Sequence, residues 1–479
     1  MNNTPPRPLR WRHAGLLAAL LLALGGCASV GPDYRPLAPQ APAEWHAAHI
    51  TGDAGQHSLE RWWQQFGDAQ LVALIEQSFR ANPDLLAARA SLRASRALER
   101  AALADRDPGL TASASSGASK RGGAAVNESW VAGFDADWEI DLFGGIRRGI
   151  EAAQADSAAA AASLADAHAS LAAEVALDYI TLRTAQARLQ IAQRNLASQE
   201  ETLQITDWRA QAGLASSVDV EQSRTNTEQT RAQIPSLRTS IASAANRLSV
   251  LTGEAPGRLQ ETLATGRLPD MPAAIAVGIP ADVLRQRPDV RAAERTLAAE
   301  VARTGVAEAD RYPSFRLSGT LALESVAFSA LGNGASVLRS ITAGISGVLF
   351  DGGRLQAQVD RQDAVREKSL QNYRGTVLGA LEDVENALTA VDNTGRRREA
   401  LAAASAAARN ANLLAADRYR SGLIDFATVL ETQRSLLTTE DSLASAEGDR
   451  LTALVQLYKA LGGGWSAADA SDESNGNPS

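Results

Sequence analysis

The chain has 479 residues, with 47 basic and 55 acidic side chains, a formal net charge of −8, one cysteine and two methionines. A net negative charge that is spread along the chain argues against a nucleic-acid partner. One cysteine excludes an internal disulfide and a thiolate metal site, and two methionines leave no thioether site for soft metals. The irregularly spaced His46, His49 and His57 indicate a solvated linker rather than a zinc site. We therefore predict no metal or cofactor.

Residues 1–26 have the pattern of a secretory signal peptide. Three arginines between residues 7 and 12 precede an apolar stretch from Ala14 to Leu24, which is too short for a transmembrane helix. Cys27 follows at once, as in bacterial lipoproteins, where this thiol carries a diacylglyceryl chain. Ala28, in place of an aspartate that favours inner-membrane retention, predicts an outer-membrane location. The alternative is an accidental cysteine after an ordinary signal peptide.

The chain contains a tandem duplication of about 200 residues per repeat. Five landmarks recur in the same order at offsets of 205 to 209 residues: Asn82–Asp84 with Arg287–Asp289, Pro108 with Pro313, Leu142–Arg147 with Leu349–Arg354, Gly213–Leu214 with Gly422–Leu423, and Gly253 with Gly462. Each repeat is predicted to contain a helix, two strands and two long helices.

The helices follow from stretches that contain almost no glycine or proline. The predicted helices run from Asp84 to Asp105, Glu151 to Arg209, Val218 to Leu251, Gln356 to Arg420 and Phe426 to Leu461. Pro235 predicts a kink in the third of them. An apolar residue every seven positions in the second predicts a coiled-coil seam: Val175, Leu182, Leu189, Leu196 and Leu203.

Four segments alternate between apolar and polar residues, as strands do: Leu110–Ala118, Trp130–Leu142, Phe315–Glu324 and Ile341–Phe350. In the second, one face carries four acids: Asp135, Asp137, Glu139 and Asp141. A buried sandwich would place the apolar face inward, whereas a membrane barrel places it against lipid and the acids in a wet lumen. The strand length and the aromatic residues favour the barrel. Because single-chain barrels begin at 8 strands, a chain with four strands must then form an oligomer.

The ordered motifs resemble those of the outer-membrane factor (TolC) family, in its NodT-type efflux lipoprotein branch. The matching segments are Trp62–Asp68, Asn82–Asp84, Trp138–Arg147, Leu349–Arg354, Tyr419–Gly422, Val429–Arg434 and Tyr458–Trp465. The resemblance implies a mixed α and β membrane protein. Three chains would form one 12-stranded outer-membrane β-barrel, with four strands per chain, continued by a long periplasmic α-helical coiled-coil barrel. It also implies an exit channel for drugs or other small molecules, with an inner-membrane efflux pump and a periplasmic adaptor as partners.

The resemblance also assigns candidate gate residues. Glu431 falls at the family's acidic constriction, and Arg434 lies one helical turn beyond it. Asp219 and Tyr419 fall where the family links neighbouring coils. Ala427 replaces the bulky apolar plug of some relatives. Since the sequence has no Ser/His/Asp, metal or phosphate-loop constellation, we do not expect an enzyme.

The expected organisation is a signal peptide (1–26), an N-terminal anchor and equatorial segment (27–80), a first repeat (81–255), a linker (256–285), a second repeat (286–466) and a disordered tail (467–479). The alternative function is a lipid-anchored periplasmic coiled-coil scaffold or adaptor without a pore.

Overall fold

A computed structural model describes residues 29–37, 41–47, 57–272 and 280–465. The predicted signal peptide, Cys27 and the tail from residue 467 lie outside these residues. The chain divides into two compact units, formed by residues 1–37, 91–160 and 292–374, and by residues 38–90, 161–291 and 375–479.

The first unit contains one four-stranded antiparallel sheet. Its strands follow the chain order: β1 (Gly109–Ser119), β2 (Asn127–Ile140), β3 (Ser314–Ser325) and β4 (Val337–Ser346). β1 and β4 are the edges, and each has one neighbour. The four predicted strands are confirmed, and the sheet joins the strands of both repeats.

Several predicted strand bounds are wrong. β2 begins at Asn127 rather than Trp130, and β4 begins at Val337 rather than Ile341. β4 ends at Ser346 rather than Phe350, because its partner β3 begins at Ser314 and the preceding Pro313 has no N–H for the ladder. Leu349 and Phe350 are fully exposed in the chain. β2 ends at Ile140, so Asp141 lies beyond the strand.

Helices make up most of the remaining chain. In the described residues they are α1 (His57–Glu60), α2 (Ala69–Ala81), α3 (Pro83–Ala104), α4 (Gly145–Gln211), α5 (Ser217–Leu251), α6 (Pro280–Gln286), α7 (Pro288–Ala309), α8 (Arg354–Arg420) and α9 (Phe426–Ala460), with 3₁₀ turns at Trp62–Phe66, Phe328–Ala330 and Gly334–Ser336.

The helix lengths confirm the duplication. α3 and α7 each have 22 residues, α4 and α8 each have 67, and α5 and α9 each have 35. At 1.5 Å per residue, a 67-residue helix is about 100 Å long. α4 begins six residues before the predicted Glu151, since Gly149 is tolerated inside it at a cost of about 1 kcal/mol. α5 continues through Pro235 without a break.

The coiled-coil seam of α4 is confirmed in its first half. Val175 and Leu182 are fully buried, whereas Leu189 and Leu196 are half-buried against a small cluster that includes Ile234. Further along, polar side chains such as Gln199 occupy the buried positions. No helix in the described part of the chain is long and apolar enough to cross a membrane.

An aromatic cluster in the second unit packs the N-terminal segment onto the helices. Trp62 is fully buried and stacks on Tyr458 of α9, with ring centroids 5.4 Å apart. Asp68 caps α2 and accepts a 2.7 Å hydrogen bond from the Tyr179 hydroxyl. Burial, together with this bond to a carboxylate, raises the pKa of Tyr179 to about 12. The family-like segment Trp62–Asp68 is therefore part of a core.

Candidate pore-lining and gate residues

The two faces of the sheet differ as the sequence predicts. The Thr320 hydroxyl donates to Asp135 at 2.8 Å, and Arg316 lies 3.7 Å from Asp137 and 3.4 Å from Glu139. These polar side chains share one face of the sheet. Within each strand they are an even number of residues apart, and across the two strands Asp135 lies opposite Thr320 and Glu139 opposite Arg316. The sheet therefore has one continuous polar face.

The opposite face is apolar and exposed in the single chain. Phe134 lies opposite Leu321 in the register, and their exposed fractions are 54% and 52%. Ile341 and Ile345 of β4 continue the face. Exposed apolar patches of this kind mark surfaces that meet a partner or lipid.

Acidic residues cap the starts of both 67-residue helices. The Asp141 carboxylate accepts a hydrogen bond from the Arg147 backbone N–H at 2.9 Å, and Asp351 accepts one from the Leu355 N–H at 2.7 Å. These backbone bonds hold the pKa of Asp351 below its usual range. Gly144 has φ +84°, which favours glycine. The paired glycines therefore belong to strand-to-helix junctions.

The turns at the far ends of the helix pairs are also alike. Gly213 and Gly422 have φ of +74° and +72° and end α4 and α8. The next helix begins with a cap in each case: Ser216 and Asp219 form a capping box, and Asp425 accepts from the Thr428 N–H at 3.0 Å. The Asp219 carboxylate accepts the Ser216 N–H at 3.0 Å, so one of its roles is local.

Tyr419 belongs to a small core beside this turn. It is 7% exposed and packs on Phe426, Val429 and Leu430. The guanidinium of Arg209 lies 4.5 Å above its ring and donates to its carbonyl at 3.2 Å. Within one chain the described residues show no hydrogen bond between Tyr419 and Asp219.

Glu431 and Arg434 are one turn apart on α9 and differ in their contacts. Glu431 is exposed, and no partner for its carboxylate is found among the residues that the structure describes. Arg434 Nε donates to Asn226 Oδ1 of α5 at 3.2 Å, and Gln433 Nε2 donates to the Thr202 hydroxyl of α4 at 2.8 Å. α9 is thus joined to the first helix pair by polar bonds.

A buried polar layer surrounds these bonds, and sequence reasoning missed it. Gln199, Asn226 and Gln433 are 2%, 4% and 6% exposed. Within the described ranges, both side-chain amide atoms of Gln199, Asn226 Nδ2 and Gln433 Oε1 have no hydrogen-bond partner. The signal in the sequence was the change from apolar to polar residues along the second half of α4.

Comparison with known proteins places the chain in a family. A family model described as outer membrane efflux protein matches residues 74–254 and 279–463. Nodulation protein T of Rhizobium leguminosarum bv. trifolii is 33% identical over 455 residues, which cover 93% of this chain and 96% of that protein. The solvent efflux pump outer membrane protein SrpC of Pseudomonas putida is 32% identical over 466 residues, covering 94% of this chain and 97% of SrpC.

Solved structures agree with the sequence comparison. The outer-membrane channel OprN superposes with a TM-score of 0.86 at 38% identity, and the match covers 91% of this chain and all of that one. Because the family model spans both repeats and the relatives match almost end to end, the resemblance is confirmed. The chain belongs to the outer membrane efflux protein family and is an outer-membrane exit channel of an efflux system, extending into the periplasm.

Proposed function

We propose that three copies of this chain close their four-stranded sheets into one 12-stranded barrel in the outer membrane. The open edges of the sheet carry this proposal. β1 and β4 each have one paired side, and unpaired backbone groups cannot stand in lipid. Each strand is antiparallel to its neighbour, so β1 and β4 run in opposite directions. β4 of one copy can therefore pair with β1 of the next copy as another antiparallel pair.

The two faces of the sheet support the direction of closure. The apolar face with Phe134, Leu321 and Ile341 meets lipid, and the polar face with Asp135, Asp137 and Glu139 lines a wet lumen. Asp141, at the junction, lines the lumen entrance. The helices of both repeats (residues 81–255 and 286–466) continue the duct through the periplasm as a coiled-coil barrel.

The periplasmic adaptor and the inner-membrane pump follow from the role of an exit channel. Exposed leucines stand at both helix turns, Leu214 at 70% and Leu423 at 73% exposure. They offer the adaptor two similar apolar contacts per chain. The sheet with one apolar and one polar face argues against the alternative of a scaffold without a pore, which needs no such sheet.

Cys27 carries the lipid anchor in this proposal. The described chain begins with Ser29 against the strand-to-helix junction: the Val30 N–H donates to the Phe143 carbonyl at 3.0 Å, and a Cβ on Gly144 would lie 2.3 Å from Ser29 Oγ. Two residues span at most about 7 Å. Ser29, two residues beyond Cys27 in the sequence, thus lies at the end of the strands, and in this proposal the anchor enters the inner leaflet of the outer membrane at that level.

The gate lies at the periplasmic end. Glu431 of three chains forms an acidic ring, and Arg434, bonded to Asn226, holds α9 to the first helix pair. Asp219 and Tyr419 add a latch between neighbouring coils. The buried amide atoms of Gln199 and Gln433 that have no partner within the described chain weaken the packing at this point, which suits an element that rearranges when the channel opens.

Cross-linking tests the closure of the barrel. A variant with cysteines at Ala114 on β1 and Ala343 on β4, oxidised in membranes, should give covalent dimers and trimers but no larger species on a denaturing gel. Since the register between β4 of one copy and β1 of the next decides which residues meet, the cysteine on β4 is also placed at positions on either side of Ala343. Each single-cysteine variant is the matched control and should stay monomeric. An open ladder beyond three chains, or no cross-link at any register, would contradict closure by three chains.

A further inference from the structure

An arginine interrupts the apolar face of the sheet. The register pairs Arg339 of β4 with Leu321 of β3, and Leu321 with Phe134 of β2. Directly opposed residues share a face, so Arg339 lies among Phe134, Leu321 and Ile341. The strand predicted from the sequence begins at Ile341 and so does not include this arginine, whereas β4 begins four residues earlier, at Val337.

The Arg339 guanidinium lacks an acidic partner. Among the residues that the structure describes, no carboxylate pairs with it, whereas Arg316 on the opposite face lies within 4 Å of Asp137 and Glu139. An arginine on a lipid face costs about 2–4 kcal/mol at the bilayer midplane and about 0–1 kcal/mol near the interfaces. Arg339 therefore needs an interfacial position or an anionic partner from outside the chain.

The position of Arg339 on β4 is compatible with an interfacial location and with an anionic partner from outside the chain. Arg339 is the third residue of β4, about 7 Å from the end that joins residues 326–336. A long basic side chain extends along apolar surface and keeps its head at the interface. Trp130 and Phe328 are in edge contact at 5.2 Å at this end of the sheet, and aromatic residues form girdles at membrane interfaces.

An apolar groove lies beside the guanidinium. It is shallow and open to solvent in the single chain, has a volume of about 770 Å³, and its lining includes Leu110, Phe134, Leu321 and Ile341 together with Arg339 itself. Such a groove suits a hydrocarbon chain. A guanidinium presents paired donors that match a phosphate group.

We propose that Arg339 and this groove bind a phosphorylated lipid of the outer leaflet, with the phosphate on Arg339 and an acyl chain in the groove. The inference rests on the proposed function, in which the apolar face meets lipid and the hairpin loops face the exterior.

Native mass spectrometry of the protein in phosphatidylcholine nanodiscs tests it, with bisphosphorylated lipid A and its dephosphorylated form as probes. The unsubstituted protein should bind the phosphorylated form preferentially. Arg339→Gln should reduce that preference about tenfold, the effect of losing one charge-assisted pair. Arg339→Lys should retain part of it. Arg316→Gln, an arginine removed from the polar face of the same sheet, should leave it unchanged.

Equal lipid binding by Arg339→Gln and the unsubstituted protein would overturn the inference. So would displacement of the lipid by millimolar inorganic phosphate, which would show a free-anion site.

An Ile341→Cys variant separates the lipid-site proposal from the proposed barrel. Its thiol should react with a membrane-soluble maleimide and not with a charged one. If the charged reagent labels Ile341→Cys, the lipid-facing assignment itself is refuted. If the labelling is as expected but Arg339→Gln binds lipid as well as the unsubstituted protein does, only the lipid site is refuted.

Discussion

Asn82 and Arg287 occupy corresponding positions in the two repeats and make corresponding contacts. Asn82 Nδ2 donates to the Leu251 carbonyl at 3.1 Å, and Arg287 Nη1 donates to the Ala460 carbonyl at 3.0 Å. Leu251 and Ala460 are the last residues of α5 and α9. Each repeat is therefore closed by a side chain before its first helix that bonds the end of its last helix.

Arg287→Ala should destabilise the protein more than Asn82→Ala. Arg287 also pairs with the partly exposed carboxylates of Asp289 at 2.7 Å and Asp383 at 3.0 Å, so its loss removes two ion pairs besides the carbonyl bond, at about 2–4 kcal/mol after allowing for solvent screening. Asn82→Ala should cost about 1–3 kcal/mol. Thermal unfolding followed by circular dichroism gives the order. Arg285→Ala, which removes an exposed arginine nearby, is the control and should change little; a comparable loss there would contradict a specific role for Arg287.

Asp166→Asn should stabilise the protein at neutral pH. Burial, and then the charge of Asp289, raise the pKa of Asp166. A carboxyl whose folded-state pKa exceeds its unfolded value favours folding when protonated, so stability falls as pH rises through that interval. Asparagine resembles the protonated form. The gain should appear at pH 7.5 and be lost at about pH 3.5, below the usual pKa of an aspartate, where the carboxyl is largely protonated in both states. Melting curves at both values decide it, with the exposed Asp282→Asn as the control.

Leu321→Arg should reduce assembly of the barrel, whereas Ser318→Arg should not. Leu321 is on the proposed lipid face, where arginine costs about 2–4 kcal/mol near the midplane. Ser318 is on the polar face opposite Asp137. The yield of heat-modifiable oligomer in membranes measures the difference. Similar yields from the two variants would mean that the faces are assigned wrongly.

Glu431→Gln should weaken cation block and leave conductance nearly unchanged. Three carboxylates around one axis attract cations and repel anions, and the amide keeps the side chain's size. Planar-bilayer recordings with divalent or polyamine cations on the periplasmic side measure the block. Glu440→Gln is a matched change further along α9, where the carboxylate already pairs with Arg409. If block persisted in Glu431→Gln, this side chain would not face the pore.

Cys27→Ser should abolish labelling by a fatty-acid probe while the oligomer partly survives. One acyl chain binds a membrane weakly, and two signals hold a protein stably; the barrel supplies the second signal. Metabolic labelling and gel analysis test both halves of this prediction. Ser29→Ala changes a nearby residue without removing the thiol and should label normally.

Periodicity in the sequence predicted most of the fold, because it records burial on strands and helices. The strand ends were missed where a neighbour decides them: β4 stops because of Pro313, which directly precedes β3, although its own alternation continues to Phe350. The candidate gate was predicted only through the family resemblance. Its contacts, such as Arg434 with Asn226, join residues about 200 positions apart, and no local pattern reports such pairs. Arg339 escaped notice because the predicted strand began at Ile341, two residues beyond it, whereas β4 begins at Val337.

The open edges of the sheet have a genetic consequence. When a duct closes only through the edges of several copies, a chain with a defective β1 or β4 still offers its intact edge to normal chains. It would enter mixed rings and leave them unsealed. Co-expressed edge mutants should therefore be dominant over the normal allele, whereas chains that fail to fold at all should be recessive.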